Sequence, residues 1–359
     1  MKKIFSVVCI FVMLFQVFSV YSYAENELEI SAKSAVVICA ETGEVVYSKN
    51  MNECLPMAST TKIMTAILAL EYGTDNQYRT VTKNMFAVEG SSMGLKDGDS
   101  VSLKTLVKGM LLKSGNDAAN AVANIVGGDI STFVKMMNQK ATEIGMYSTS
   151  FETPSGLDGD NHYSTAFDMA ILGAYAIQNP EFRSICSVDS TVVYYGSPPY
   201  RRVLTNHNKF LKMYEGAFGI KTGFTKKSGR CLVTAVKKEG KTLVAVTLNA
   251  PDDWNDHIKM YDYAFERVNS IRLSTKDLVL NVVGGTKDNI IIRAESVPEI
   301  TTINKDFQYE LKIFVKHFEY APITKGEVVG KIEFYSNGVK ISETNLITTE
   351  EVLCVKIDR

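Results

Sequence analysis

At 359 residues, with 45% apolar content, the chain is long for one domain and comfortable for two, with ample length to bury a core. Its 39 basic and 40 acidic side chains leave a net charge of -1, which argues against nucleic acid as the main partner and gives no reason to expect adhesion to an anionic surface. No repeat, low-complexity tract or coiled-coil heptad is apparent.

Lys2 and Lys3 precede an almost wholly apolar run from Ile4 to Val20, and Ser22-Tyr23-Ala24 puts small residues at the two positions a signal peptidase reads. The pattern predicts a leader over residues 1–24, cleaved after Ala24, and an extracytoplasmic protein, secreted or associated with the cell wall. Retained, the same run could serve as an N-terminal anchor. Cys9 leaves with the leader, and Cys39, Cys54, Cys186, Cys231 and Cys354 remain. An odd, scattered set without CxxC or Cys/His spacing suggests neither a disulfide framework nor a zinc site, and no cofactor or metal is expected.

Ala35 to Cys39 and Val45 to Tyr47, joined by Glu41-Thr42-Gly43, predict a β-hairpin. A loop of small residues then runs into Ser59, after which Ile63, Ala66, Ile67 and Leu70 recur at helical spacing. Read alone, Ser59 is a helix cap and Lys62 a surface charge. Ser59 is, however, the only serine with lysine three residues on, and the flanks are apolar. Residues three apart share a helix face, so the Lys62 amine can reach the Ser59 hydroxyl, while the helix N-terminus favours a developing negative charge.

Ser102 reads as the cap of a helix with Leu103, Leu106, Val107, Met110 and Leu111 on one face, and a second helix runs from Asp117 to Val126. Ser114-Gly115-Asn116 occupies the turn between them, where side chains two apart can face one cleft. Phe133 to Ile144 and Ala166 to Ile177 are further predicted helices. Between them the loop Phe151 to Asp158 leads into His162, which reads as a loop-ordering or capping residue. Strands are expected at Gly219 to Phe224, Cys231 to Val236 and Leu243 to Leu248, forming an antiparallel meander packed by helices, with a last helix at Asp262 to Val268. From Leu273 the apolar runs are short and β-branched. They predict strands at Leu278 to Val283, Ile290 to Arg293, Tyr309 to Val315, Val328 to Phe334 and Glu351 to Val355.

Three elements thus stand in one order: Ser59-x-x-Lys62, Ser114-Gly115-Asn116 and Lys221-Thr222-Gly223. Ser48-Lys49-Asn50 and Tyr335-Ser336-Asn337 mimic the second but fall outside that order, and Lys227-Ser228-Gly229 mimics the third from within a turn. The ordered set is the signature of serine penicillin-binding proteins and class A β-lactamases. The chain after the leader resembles the low-molecular-mass D-alanyl-D-alanine carboxypeptidases in particular. That likeness includes Pro56-Met57-Ala58, Thr153-Pro154-Ser155-Gly156-Leu157-Asp158, His162-Tyr163-Ser164-Thr165-Ala166, Ala321-Pro322-Ile323 and Lys325-Gly326-Glu327.

The resemblance implies an α+β fold: an antiparallel sheet flanked by helices over residues 25–272, followed by a small all-β sandwich over 273–359. It implies Ser59 as nucleophile, Lys62 as its base, and Ser114 as a proton relay. Asn116, Lys221, Thr222, Gly223 and the backbone N–H of Phe224 would bind a peptidoglycan stem peptide ending in D-alanyl-D-alanine, and β-lactams would acylate the serine as inhibitors. Two departures matter. The family often carries an arginine after the third strand that helps with the substrate carboxylate, where this chain has Ala250-Pro251-Asp252-Asp253-Trp254-Asn255. Relatives commonly end in an amphipathic membrane helix, whereas Ile347 to Arg359 alternates like a strand, so no such anchor is expected. The rival readings are a class A-like β-lactamase, for which Glu152 is the one tempting carboxylate, and a catalytically silent wall-binding scaffold.

Overall fold

The computed structural model of the chain describes residues 28–72 and 77–355. The expected leader and the last residues of the tail lie outside them. In chain order the first elements are β1 (Ser34–Cys39), β2 (Val45–Lys49), a 3-10 turn (Ala58–Thr61), α1 (Lys62–Tyr72), β3 (Tyr78–Thr80), α2 (Lys83–Phe86) and β4 (Ser100–Ser102). There follow α3 (Leu103–Lys113), α4 (Asn116–Gly127), α5 (Ile130–Glu143), α6 (Ala166–Ala176) and α7 (Pro180–Cys186). Next come β5 (Ser190–Tyr195), β6 (Tyr200–Thr205), α8 (Phe210–Met213), β7 (Ala217–Thr225), β8 (Gly229–Lys238), β9 (Lys241–Leu248) and α9 (Asp253–Phe265).

The central sheet has five antiparallel strands in the order β2-β1-β9-β8-β7, so the first strand pairs with the last and β7 is left at an edge. Its strands are apolar on both faces because both are covered. Val36, Ile38, Val233, Val244 and Val246 join the core under α1, α3, α4 and α6, whereas Val37, Val236, Leu243 and Ala245 join a second core under α9. Helix α6 is apolar around most of its girth for the same reason. A side chain at Gly173 would come 3.0 Å from Val244, so glycine there sets how closely the helix lies on the sheet.

Beyond α9 every element is a strand. β10 (Asn269–Arg272), β11 (Leu278–Val283), β12 (Asn289–Ala294), β13 (Glu299–Thr302), β14 (Glu310–Val315), β15 (Phe318–Tyr320), β16 (Val328–Ser336) and β17 (Val339–Thr348) complete the described chain. Six of them form one sheet, β14-β16-β17-β12-β11-β15, around a core that includes Leu280, Ile292, Ile332, Phe334 and Leu346. The pair β10 and β13 joins this region to the first hairpin. Thr301 N–H donates to Glu41 Oε2 at 3.1 Å, and Thr242 N–H donates to Thr301 Oγ1 at 2.6 Å.

Several elements differ from the sequence reading. Ser59 lies within the 3-10 turn that precedes α1, not at an α-helical cap. Helix α9 starts at Asp253 rather than Asp262, because its inward face includes polar His257, which bonds Thr234 at 2.7 Å and Thr247 at 3.0 Å inside the core. The sequence reading did not anticipate α7, the β5–β6 hairpin or β17. The expected last strand, Glu351 to Val355, is reduced to isolated bridges at Val352 and Cys354.

Candidate active site

The turn that presents Ser59 is built by its neighbours' hydroxyls. Thr60 Oγ1 donates to the Met57 carbonyl at 2.6 Å, and Thr61 Oγ1 donates to the Ala58 carbonyl at 2.8 Å. Ala58 takes a left-handed conformation with φ 47°, a strained state for a residue with a Cβ, and Ser114 does so with φ 57°. Lys62 opens α1 and is fully buried. Its Nζ lies 2.8 Å from Ser59 Oγ, 2.7 Å from Asn116 Oδ1 and 2.5 Å from the Ser155 carbonyl. Burial, reinforced by the like charge of Lys221, holds its pKa well below that of a free lysine.

Asn116, the first residue of α4, also donates through Nδ2 to the Glu89 carbonyl and through its backbone N–H to the Ser91 carbonyl, each at 2.7 Å. Beside it the Asp117 carboxylate accepts from the backbone N–H groups of Met93, Gly94 and Leu95 at 2.9, 3.0 and 3.1 Å. The loop over residues 89–95 is therefore clamped to the start of α4, with Ser114 between the helices at 7% exposure.

The loop at 151–158 lies beneath the Ser59 turn. Thr65 Oγ1 donates to the Pro154 carbonyl at 2.6 Å, and Gly156, at φ 82°, sits so close that a Cβ there would come 2.0 Å from the Ala58 carbonyl oxygen. His162 ties the two together: Nδ1 accepts from Glu152 N–H at 3.0 Å, which leaves the proton on Nε2 to face Thr61 Oγ1 at 2.9 Å. Burial lowers the imidazole's pKa to about 4. The Glu152 carboxylate is turned away, accepting from Asn161 N–H at 3.0 Å, and it does not line the cleft.

Across from Ser59 runs the edge strand β7. Lys221, 1% exposed, donates to the Thr222 carbonyl at 2.8 Å, and burial lowers its pKa to about 7. A side chain at Gly223 would come 3.1 Å from the Ser59 nitrogen, so the strand closes to the serine's backbone. Ser59, Ser114, Thr222, Gly223 and Phe224 all line one cleft of about 350 Å³. Of the other residues singled out from sequence, Lys62 and Asn116 join Ser59 through the Lys62 amine, and the buried Lys221 amine adjoins Thr222. The sequence reading missed Asp117 and Thr65, whose side chains bond backbone groups of other segments, and Thr61, which bonds the Ala58 carbonyl and the His162 ring. It also missed the wall formed by Arg230, Asp253 and Trp254. Among the described residues no group of three His, Cys, Asp or Glu could hold a metal ion.

Residues 21–252 match the family profile described as D-alanyl-D-alanine carboxypeptidase, and residues 273–353 that of the C-terminal domain of penicillin-binding protein 5. The D-alanyl-D-alanine carboxypeptidase DacF of Bacillus subtilis (strain 168) is 32% identical over 373 aligned positions, covering 98% of this chain and 95% of that protein. The chain belongs to the serine-type D-alanyl-D-alanine carboxypeptidase family. A second family member, DacC of Escherichia coli (strain K12), is 32% identical over 354 positions, covering 92% of this chain and 87% of its own. The crystal structure of penicillin binding protein 5 from Haemophilus influenzae superposes with a TM-score of 0.65 at 28% identity, covering 90% of this chain and 98% of that one. The two profiles match this chain in the order of its α/β unit and the β domain that follows.

Proposed function

We propose that the protein removes the terminal D-alanine from peptidoglycan stem peptides ending in D-alanyl-D-alanine, through an ester formed on Ser59. The observation that carries this reading is the 2.8 Å approach of Lys62 Nζ to Ser59 Oγ, in surroundings that hold the amine's proton affinity down. Neutral Lys62 takes the hydroxyl proton as Ser59 Oγ attacks the carbonyl carbon of the penultimate D-alanine. The carbonyl oxygen, now an oxyanion, accepts hydrogen bonds from the backbone N–H groups of Ser59 and Phe224. As the C–N bond breaks, the proton on Lys62 passes through the Ser114 hydroxyl to the departing amine, and free D-alanine leaves. Water then hydrolyses the ester and restores the Ser59 hydroxyl.

Lys221 and Thr222 hold the terminal carboxylate, and Asn116 holds a side-chain amide of the peptide. The open edge of β7, narrow at Gly223, lets the substrate lie as an added strand. Residues 25–272 are the catalytic unit in this reading, and 273–359 a separate β-sandwich. With the leader removed, the enzyme acts outside the cytoplasm, secreted or held at the wall. β-Lactams acylate Ser59 and leave slowly.

A fluorescent penicillin tests the reading. Covalent labelling of the wild type and none of Ser59→Ala is expected, whereas an unlabelled wild type favours a silent scaffold. Rapid nitrocefin turnover without D-alanine release would instead favour a β-lactamase.

A further inference from the structure

The sheet of the C-terminal region ends on one side at β14, which pairs with β16 along one edge only. Its other edge is open, and among the described residues no backbone hydrogen bond beyond that pairing involves residues 310–315. The strand is apolar on both faces there. Leu311, Ile313, Phe314 and Val315 are each between 39% and 47% exposed, whereas an edge strand in water is ordinarily short, bulged or charged. The opposite edge strand, β15, is blunted by being three residues long. On the inner face, Leu311 and Ile313 border with Leu278, Phe307 and Ile332 an apolar groove of about 520 Å³.

A guarding lysine is the competing explanation, because lysine on an edge discourages pairing. The Lys312 amine, however, is drawn back over the sheet, 3.9 Å from the centre of the Tyr335 ring on β16, and so does not reach across the open edge.

The order of charges along the strand selects what can pair with it. A second copy meets β14 antiparallel about a two-fold axis normal to the sheet. Residues directly opposite share a face, so the axis must pass through one residue, which then faces its own equivalent. At Lys312 it sets lysine against lysine, and at Phe314 it sets Lys312 against Lys316. At Leu311 or Val315 it pairs much of β14 with residues outside the strand. At Ile313 every strand residue finds a partner: Leu311 faces Val315, Lys312 faces Phe314, and exposed Glu310 faces Lys316. Symmetry repeats each of those pairs. Lys316 bonds Glu319 at 2.8 Å, which holds its amine at the strand's end.

We propose that β14 is the contact surface between two copies of this chain, joining their β domains into one continuous sheet about a two-fold axis at Ile313. The catalytic clefts stay free, because no residue of β14 lines them. The contact is one strand wide and smaller than a standard interface, so the dimer is reversible and depends on concentration.

Sedimentation velocity of residues 25–359 from about 1 to 200 μM tests this. The wild type should pass from monomer to dimer over that range. Ile313→Lys places like charges on the axis and should stay monomeric throughout. Glu310→Lys should raise Kd about tenfold, and adding Lys316→Glu, which restores opposite charges in the same register, should recover most of the loss. These variants change exposed side chains, and unchanged circular dichroism checks their fold. A wild type that stays monomeric, or a dimer that survives Ile313→Lys, overturns the inference. A Glu310→Lys defect that the charge swap leaves unrepaired overturns the pairing at Ile313. None of these outcomes bears on the serine chemistry, which penicillin labelling tests separately.

Discussion

Lys62 Nζ lies 2.8 Å from Ser59 Oγ, and its two other partners, the Asn116 amide oxygen and the Ser155 carbonyl, can only accept hydrogen bonds. A neutral amine has two N–H groups and one lone pair. Those acceptors take both N–H groups, which leaves the lone pair facing the Ser59 hydroxyl. The same two oxygens thus orient the base and keep it from turning elsewhere.

The first prediction follows from that orientation. Lys62→Ala removes the base and Lys62→Arg replaces it with a group that stays charged, so both should acylate with penicillin about a hundred to ten thousand times more slowly than wild type. Stopped-flow labelling checks this. Near-wild-type acylation by Lys62→Arg would show that a neutral base is not required.

A second prediction concerns pH. Burial brings Lys221 to about 7, so its positive charge is present below that pH and lost above it. KM for a free-acid substrate should therefore rise between pH 7 and 9, while KM for the methyl ester stays flat. Parallel profiles for the two would remove Lys221 from carboxylate binding.

His162 gives the third. Its folded pKa, about 4, lies below the ordinary 6.5, so between these values the unfolded chain takes up the proton and the folded chain does not. Stability present above pH 6.5 should be lost as pH falls toward 4, by at most about 3 kcal/mol from this group. Urea unfolding at pH 7.5 and 4.5 measures the loss, which should shrink in His162→Gln. An equal loss in both proteins would assign the acid sensitivity elsewhere.

The fourth contrasts two glycines with similar backbones. At Gly156 a methyl would strike the Ala58 carbonyl oxygen beside the serine, whereas at Gly98, φ 81°, it would meet nothing within 4 Å. Gly98→Ala should cost about 1 kcal/mol through backbone strain and leave acylation unchanged. Gly156→Ala should cost about 2–4 kcal/mol and slow acylation, because it displaces the serine's turn. Thermal unfolding and penicillin labelling of both variants decide the matter.

What could be read in the sequence was local. The three-residue interval from Ser59 to Lys62 and the continuous apolar runs of β1, β8 and β9 are short-range patterns with direct geometric meaning. The order of the three motifs carried the rest of the site, through family resemblance. What escaped depends on tertiary register. Arg230 ends a turn in the sequence, and only the pairing of β7 with β8 sets it opposite Phe224. Helix α9 was read as starting nine residues late, because His257 looks polar until Thr234 and Thr247 are seen to satisfy both ring nitrogens. Strand β17 mixes Glu343, Thr344 and Asn345 into its alternation, and a half-exposed strand of that kind resembles a loop in composition.

The account stands or falls on acylation of Ser59 by the substrate itself. Release of D-alanine from an acyl-D-alanyl-D-alanine peptide should proceed with the purified wild type and fall to the uncatalysed rate in folded Ser59→Ala. Undiminished release by Ser59→Ala would contradict it.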